Sequence, residues 1–490
     1  MGLAKGDLRL RWKGKHVSVV GLGKSNMALI RYLARRGVSI TARDQKSADE
    51  LGAAVDELRR LGAEMRLGPG YLKDLAASDG IFLTPGMRKD LPQIEEARVL
   101  GVEITSETNL FMELCRAPVV GITGSSGKTT TTTLVGALLE AAGHKVYVGG
   151  NIGRPLIEVV DEIKESAVVV LELSSFQLEL ATRSPQVACI TNITPNHLDV
   201  HPDMEAYVAA KKRIYQFQSD SDVLVLNAVN EHTRAMAKGA RGRVVWFSAA
   251  GEVPLGAFVD SGRIVIAKDG RSGGTLTDVC GLDEIRLLGD HNVENVLAAC
   301  AIADQLGVTP GTMRDVVSTF TGVAHRLELV REANGVAYYN DSIATSPSRA
   351  VAGIKAFDRP IHLIAGGYDK HLPWDEFAEV VAERVKTLVL IGQAGPAIER
   401  AVLDAKGATK PRIVYADSLK EAVAVAAGAA VPGDVVLLSP ACASYDMFPN
   451  FEVRGEQFRK WVREYTESAE CESASGRDAT KVGITFDDAH

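Results

Sequence analysis

Cysteine is sparse, and no two cysteines are spaced to share a metal. Cys115, Cys189, Cys280, Cys300, Cys442 and Cys471 are the six in 490 residues, with no C-x-x-C pair among them. That scatter excludes a zinc ribbon or a disulfide framework and fits a reducing compartment. No stretch approaches the ~20 apolar residues that span a bilayer. The polar start, with Lys5, Asp7, Arg9 and Arg11, offers no apolar run for a signal peptide. Basic charge is not in excess either. A net charge of −7 gives no footing for a nucleic-acid surface. What is present, 46% hydrophobic and 24% charged residues, is ordinary for a globular chain, and the length fits about three domains. These features predict a cytoplasmic protein without membrane or nucleic-acid partners.

The chain is organised around residues 119–136, VVGITGSSGKTTTTTLVG. An apolar strand runs into glycines, then Lys128 and Thr129, then a Thr-rich helix. This is how a phosphate cradle is built: glycines turn backbone N–H groups inward, a helix N-terminus adds its dipole, and a lysine reaches the outer phosphates. Gly124, Ser125, Ser126 and Gly127 form the loop, Lys128 and Thr130 flank its helix start, and the Thr129 hydroxyl is placed to hold Mg²⁺. Ile122 stands where the common G-x-x-x-x-G-K-[ST] pattern has its first glycine.

Upstream, residues 16–44 read as strand, glycine turn, amphipathic helix and strand. Gly21 and Gly23 open the turn, Asn26 replaces the third glycine of a dinucleotide fingerprint, and Asp44 follows Gly23 by 21 residues. Such a turn fits a bound diphosphate and a purely structural role equally well. Thr84, Pro85 and Gly86 follow a buried-looking strand and so fall at the carboxyl edge of the sheet, although an ordinary turn reads the same way. The first domain is expected to end near Glu107.

Downstream of the phosphate loop, GGNIGRP at 149–155 encloses Asn151. The apolar strand at 167–172 carries Glu172 at its end. A carboxylate there is costly to bury alone, so a metal shared with Thr129 or a helix cap would have to hold it. A polar turn then presents His197 and Asp199. On the following helix Tyr207, Ala210, Ile214 and Phe217 form an apolar stripe, with Lys211 at its border and Lys212 facing away. By spacing alone Lys211 is half-buried. Near a metal a free ammonium would be repelled, so it pairs with an acid or carries an altered charge, but a snorkelling lysine fits the spacing better. Asn292 and Asn295 sit three apart at another helix start, where capping is an alternative role.

A third α/β unit begins after Gly322, read here as a hinge. It presents His325 and Arg326, Asp341 at a strand end, Asp369 and Lys370 after a glycine turn, and Ser444 and Phe451 after the last strand. Residues 468–490 read as a disordered tail. The expected architecture is α/β with three domains at 1–107, 108–322 and 323–467. They are a Rossmann-like domain, a central P-loop ATPase-like domain and a C-terminal Rossmann-like domain. The reaction is expected at loops on their strand ends.

T-G-x-x-G-K-T at 123–129, G-N-I-G at 150–153, L-E-L-S-S-F-Q-L-E at 171–179, N-H-L-D at 196–199 with A-A-K at 209–211, H-N-x-x-N at 291–295, H-R at 325–326 and N-D-S at 340–342 together resemble the Mur ligases, ATP-dependent amide-forming enzymes of peptidoglycan synthesis. The resemblance runs to about residue 467. L-S-P-A-C-A-S-Y-D-M-F-x-N-F at 438–451 resembles the D-glutamate-adding branch, and the D-N-P-R motif of the diaminopimelate- or lysine-adding branch is absent.

The resemblance implies ATP-driven joining of UDP-N-acetylmuramoyl-L-alanine and D-glutamate through an acyl phosphate, by a monomer with two Mg²⁺ ions. On the matching positions, Gly23, Lys24, Ser25, Asn26, Asp44, Thr84, Pro85, Gly86, Asn151 and His197 would hold the UDP-substrate. Residues 124–130 with Asn292, Asn295, Arg326 and Asp341 would bind ATP. Thr129 and Glu172 would hold one ion, and His197 with a carbamylated Lys211 the other. Thr345, Lys370, Ser444 and Phe451 would place D-glutamate, with Lys128, His197, Lys211 and Arg326 central to catalysis. A carbamate makes Lys211 anionic, which displaces the snorkelling reading. Ile343 stands where many D-glutamate-adding relatives carry lysine, and removes one cation near the reaction. The rivals are another amino-acid ligase of this fold, such as a folylpolyglutamate synthase-like enzyme, and a nucleotide switch or motor. A nicotinamide dehydrogenase is weaker, since Asn26 interrupts its motif.

Overall fold

The computed structural model describes residues 11–195, 200–268, 275–287, 289–370, 372–405 and 410–478. His197 and Asp199 therefore lie outside the described residues. The chain divides into two compact units, one through Phe320 and the other from Thr321.

The first unit holds two sheets. In the smaller one the strands lie in the order Glu64–Leu67, Ser39–Asp44, His16–Val20, Gly80–Leu83 and Glu103–Thr105, all parallel. His16–Val20 is central, and the strand order reverses beside it. Loops at its carboxyl edge therefore enclose a crevice of the kind that takes ligands in α/β sheets. The helix Lys24–Ala34 buries Met27, Leu29, Ile30 and Leu33, and one continuous apolar core joins them to Leu156, Ile157 and Val160 beneath the second sheet. Arg31 ties the same seam by ion pairs to Glu57 and Glu158. The charged segment expected as one helix at 48–61 is two, Ala48–Leu51 and Ala53–Arg60, broken at Gly52 with φ 52°.

The larger sheet has nine strands, with Val119–Thr123 between Val187–Ile190 and Val168–Glu172. Its pairings are parallel except for Gly256–Asp260 with Arg263–Ala267 and the latter with Leu276–Gly281. Helix Lys128–Ala141 runs from the phosphate loop across this sheet. Leu134, Val135, Leu138 and Leu139 on it are fully buried in a core shared with helix Asp290–Gln305. Each such side chain contributes about 1.5–3 kcal/mol by leaving water, so the loop stands on a rigid base.

The second unit is a six-stranded sheet in the order Glu328–Ala333, Val336–Asn340, Val435–Leu438, Ile361–Gly366, Val385–Ile391 and Arg412–Tyr415, parallel after the first antiparallel pair. Its last helix runs Phe451–Asp478. Helix thus continues through part of the stretch from 468 that composition alone assigns to a tail, because Phe458 and Val462 anchor its start in the core.

Candidate active site

In the first sheet the glycine turn is closed from within. Gly21 has φ 83°, and a Cβ there would run into the Thr84 side chain, so the two loops of the crevice touch only because residue 21 is glycine. Asp44 accepts from Leu22 N at 2.7 Å and from Lys46 N at 2.9 Å. Asn26 is buried, and its amide donates to Val20 O (3.0 Å) and Gly21 O (2.8 Å). The residue that interrupts the dinucleotide pattern is thus a brace for the turn. Gly23, Lys24 and Gly86 are exposed at the crevice, and Ser25, Thr84 and Pro85 partly so. Lys24 Nζ reaches Gly153 O at 3.0 Å, bringing the G-N-I-G loop of the larger sheet to the same edge.

At the phosphate loop, Thr129, Asn151 and Glu172 come together. Glu172 is 2% exposed, accepts from Thr129 Oγ1 at 2.7 Å and Asn151 Nδ2 at 3.0 Å, and does not cap the next helix, which Ser174 caps. A buried carboxylate held by two neutral donors suits a hard cation. Among the described residues no three His, Cys, Asp or Glu gather into a metal cluster. An ion here would rest on this carboxylate, the threonine hydroxyl and phosphate oxygens, which is how Mg²⁺ commonly binds.

Lys211 departs from its predicted half-burial. It is 1% exposed, with Nζ donating to Gly124 O at 2.9 Å and Thr123 Oγ1 at 3.2 Å and lying 4.8 Å from the Tyr207 ring centroid. Snorkelling is excluded because the phosphate loop, 88 positions away in sequence, folds over the helix. Lys128 Nζ donates to the same Gly124 carbonyl at 3.0 Å. Burial first, and the Lys128 ammonium second, push Lys211 well below the usual lysine range, with Glu172 pulling the other way.

The loop is framed by groups the motif does not contain. Asn192 Oδ1 accepts from Ser126 N at 3.0 Å, and Ser125 Oγ lies 3.0 Å from the Tyr207 hydroxyl. Asn295 donates to Asn292 Oδ1 at 2.8 Å and packs under Gly127, where an added Cβ would strike its carboxamide. Gly289 is the cap of that helix, so neither asparagine caps it. Thr130 is buried beside the loop.

In the second unit, Thr345, Lys370, Ser444 and Phe451 line one cavity of about 200 Å³ together with Ala443, Tyr445, Asn450 and Glu452. Lys370 Nζ donates to Thr345 O at 3.1 Å. Behind the wall, Arg454 is 1% exposed and donates to Ser342 Oγ (3.0 Å) and O (2.9 Å), Cys442 O (3.1 Å) and Ala443 O (3.3 Å). It pins two strand-end loops to the last helix, and sequence spacing gave no sign of it. Asp341, also buried, accepts from Ser439 Oγ at 2.8 Å, and burial raises its pKa to about 7 against the smaller pull of Arg326 and Arg349. Arg326 itself is exposed, flanked by His325 and Leu327 at φ 65° and 42°. Ile343 is half-buried, and its carbonyl accepts from Arg349 at 3.4 Å.

A phosphate loop with a strand-end carboxylate beside it, in a unit whose smaller parallel sheet opens a crevice, defines an enzyme that spends a nucleoside triphosphate on a second substrate. Family models match along the chain: a Mur ligase MurD-like N-terminal domain at 15–106, a Mur ligase middle domain at 122–303 and a Mur ligase glutamate ligase domain at 325–442. The UDP-N-acetylmuramoylalanine--D-glutamate ligase of Symbiobacterium thermophilum is 55% identical over 451 residues, covering 91% of this chain and 98% of that protein. The Acetivibrio thermocellus protein of the same name is 49% identical over 461 residues, covering 93% and 98%. The solved UDP-N-acetylmuramate-alanine ligase of Thermotoga maritima shares the fold with a TM-score of 0.53 at 19% identity, covering 93% of this chain and all of that one. The chain belongs to the Mur ligase family, and is an ATP-dependent amino-acid ligase with three α/β domains.

Proposed function

We propose that this protein joins D-glutamate to UDP-N-acetylmuramoyl-L-alanine, acting as a monomer in peptidoglycan precursor synthesis. The observation that carries the ligase reading is Lys211, enclosed on the phosphate loop beside Lys128 with its pKa depressed. A nucleotide switch or motor has no use for such a group. A neutral amine reacts with CO₂, and the carbamate formed is an anionic ligand where the ammonium would repel a metal. The amino-acid substrate follows from the relatives' shared name and from a cavity lined by Lys370, Ser444 and Thr345, which offers a cation and hydroxyls to a dicarboxylate.

In the proposed reaction a carboxylate oxygen of the L-alanyl group attacks the γ-phosphorus of ATP. The bond to ADP breaks and an acyl phosphate forms. The D-glutamate amine, having lost a proton, then attacks the acyl carbon, and the tetrahedral intermediate expels phosphate. Bringing two anions together in the first step is the difficulty, and Lys128 and Arg326 supply fixed positive charge against it. Mg²⁺, two ions in this reading, neutralises phosphate charge when bound. Thr129 and Glu172 would hold one ion and carbamylated Lys211 with His197 the other. Asn151 and the crevice of the first sheet at 23–26, Asp44 and 84–86 orient the UDP-substrate. Asn292, Asn295 and Asp341 orient ATP.

The test is phosphate release with ATP, Mg²⁺ and UDP-N-acetylmuramoyl-L-alanine, with D-glutamate present, omitted or replaced by L-glutamate. Release that needs both the UDP-substrate and the D-isomer is expected. Release indifferent to both would overturn the reading.

A further inference from the structure

A partly buried polar relay joins the two sheets of the first unit, and no step of the proposed reaction uses it. His201 is 3% exposed, its ring lying 2° from parallel to Phe176 at 5.2 Å between centroids and meeting Tyr207 edge-on at 5.2 Å. Its Nε2 is 3.0 Å from Ser175 Oγ, and its Nδ1 is 3.3 Å from Glu179 Oε1. The other Glu179 oxygen pairs with Lys89 Nζ, which also donates to Met87 O at 3.3 Å. Met87 and Lys89 continue the loop from Thr84 at the crevice of the smaller sheet, while Ser175 opens the helix Ser175–Leu178 just past Glu172. Tyr207, on the other side of the ring, holds Ser125 of the phosphate loop.

The protonation pattern follows from the partners. A carboxylate at Nδ1 calls for an N–H there, which leaves Nε2 to accept the Ser175 hydroxyl proton. Serine, histidine and glutamate in this order also form the relay of a serine hydrolase. Ser175 is itself buried, however, with no approach for a substrate carbonyl. The relay therefore delivers position, not a nucleophile.

We infer that His201 is a positioning residue of the ligase, holding the loop that carries Thr84 to Lys89 in register with the strand end at Glu172. The UDP-substrate and the phosphate site are then presented to each other at a fixed separation. This rests on the function proposed above.

The experiment uses the full chain and D-glutamate-dependent phosphate release. His201→Phe keeps the ring stack and removes the hydrogen bond to Ser175 and the contact with the Glu179 carboxylate. It is expected to lower kcat/KM for the UDP-substrate by about 10- to 100-fold, the usual cost of losing an orienting partner, while KM for ATP stays at the native value. Ser175→Ala is expected to act through the same path, so the double variant loses no more than His201→Phe alone. His201→Gln, whose amide still reaches Ser175, recovers part of the loss. Native kcat and KM in His201→Phe with only a lower Tm, or fully additive losses in the double variant, would overturn the inference. If His201→Phe does not fold, Ser175→Ala and Glu179→Gln decide by the same two constants. A native chain indifferent to D-glutamate overturns the functional reading instead. Calorimetric titration with UDP-N-acetylmuramoyl-L-alanine then tests the register alone, and equal affinity in native and His201→Phe chains sinks it.

Discussion

Lys211 and Arg454 are cations buried to the same 1% exposure, one in each unit, and each donates its hydrogen bonds to neutral oxygens. They meet the cost of burial in opposite ways. Lysine can lose its charge, and desolvation with Lys128 nearby drives it to do so. Arginine keeps its proton, burial lowering it only to about 10, and spreads its donors over three carbonyls and a hydroxyl. The first is a site of chemistry because its charge is adjustable. The second is a fixture because its charge is not.

Breaking each residue should separate these roles. Lys211→Met removes the group that becomes a carbamate and should cut kcat by about 10³-fold, the scale of losing one preorganised electrostatic group. Binding of the UDP-substrate, measured by calorimetry, should persist. Lys211→Arg should be equally inactive, since a guanidinium keeps its charge and forms no carbamate at neutral pH. Arg454→Met should instead show first as lost stability, of about 3 kcal/mol in urea unfolding, because the carbonyls of Ser342 and Cys442 lose the guanidinium that donates to them, while Ala443 O keeps Tyr368 N. Equal activity loss with unchanged unfolding in both variants would erase the contrast. A smaller effect is expected at the loop covering Lys211. Gly124 has φ 153° and its added Cβ would strike Thr191 Oγ1, so Gly124→Ala should cost about 1–3 kcal/mol and raise KM for ATP.

The contrast also marks what could be read in the sequence. Strand ends were legible, because apolar runs followed by Gly, Thr or a lone acid announce them. Thr129 and Glu172, paired on that ground, meet in the structure, and Thr345, Lys370, Ser444 and Phe451, grouped by the family resemblance, line one cavity. Helix spacing correctly ranked Lys211 as more buried than Lys212 but described only one face of one helix. The loop that completes the burial is 88 positions away. Arg454 and Ser342 are 112 apart, and His201 and Ser175 are 26 apart. No periodicity links such pairs, so the groups that hold the site in place were invisible while those lining it were not. The glycine turn of the first sheet was legible as a turn, yet the work of Asn26 inside it depends on a backbone geometry that a motif does not express.

A pH dependence should also set the two buried titrating groups against each other. Asp341 is held near a pKa of 7 in the folded state, against 3.8 for an ordinary aspartate. Between those values the folded chain binds more protons than the unfolded one, so this group lowers stability as pH rises through the window and adds nothing further above it. Lys211 has the opposite sign. Its folded pKa lies below 10.5, so the unfolded chain binds more protons between the two, and its contribution rises with pH across that range. Asp341→Asn should therefore gain stability relative to the native chain from pH 3.8 to about 7 and hold that gain above. Lys211→Met should lose its advantage over the native chain as pH climbs toward 10.5. Urea unfolding at a series of pH values reads both slopes. A flat slope for either variant would mean that its group keeps its ordinary charge inside the protein, and a charged Lys211 would remove the basis for its carbamylation.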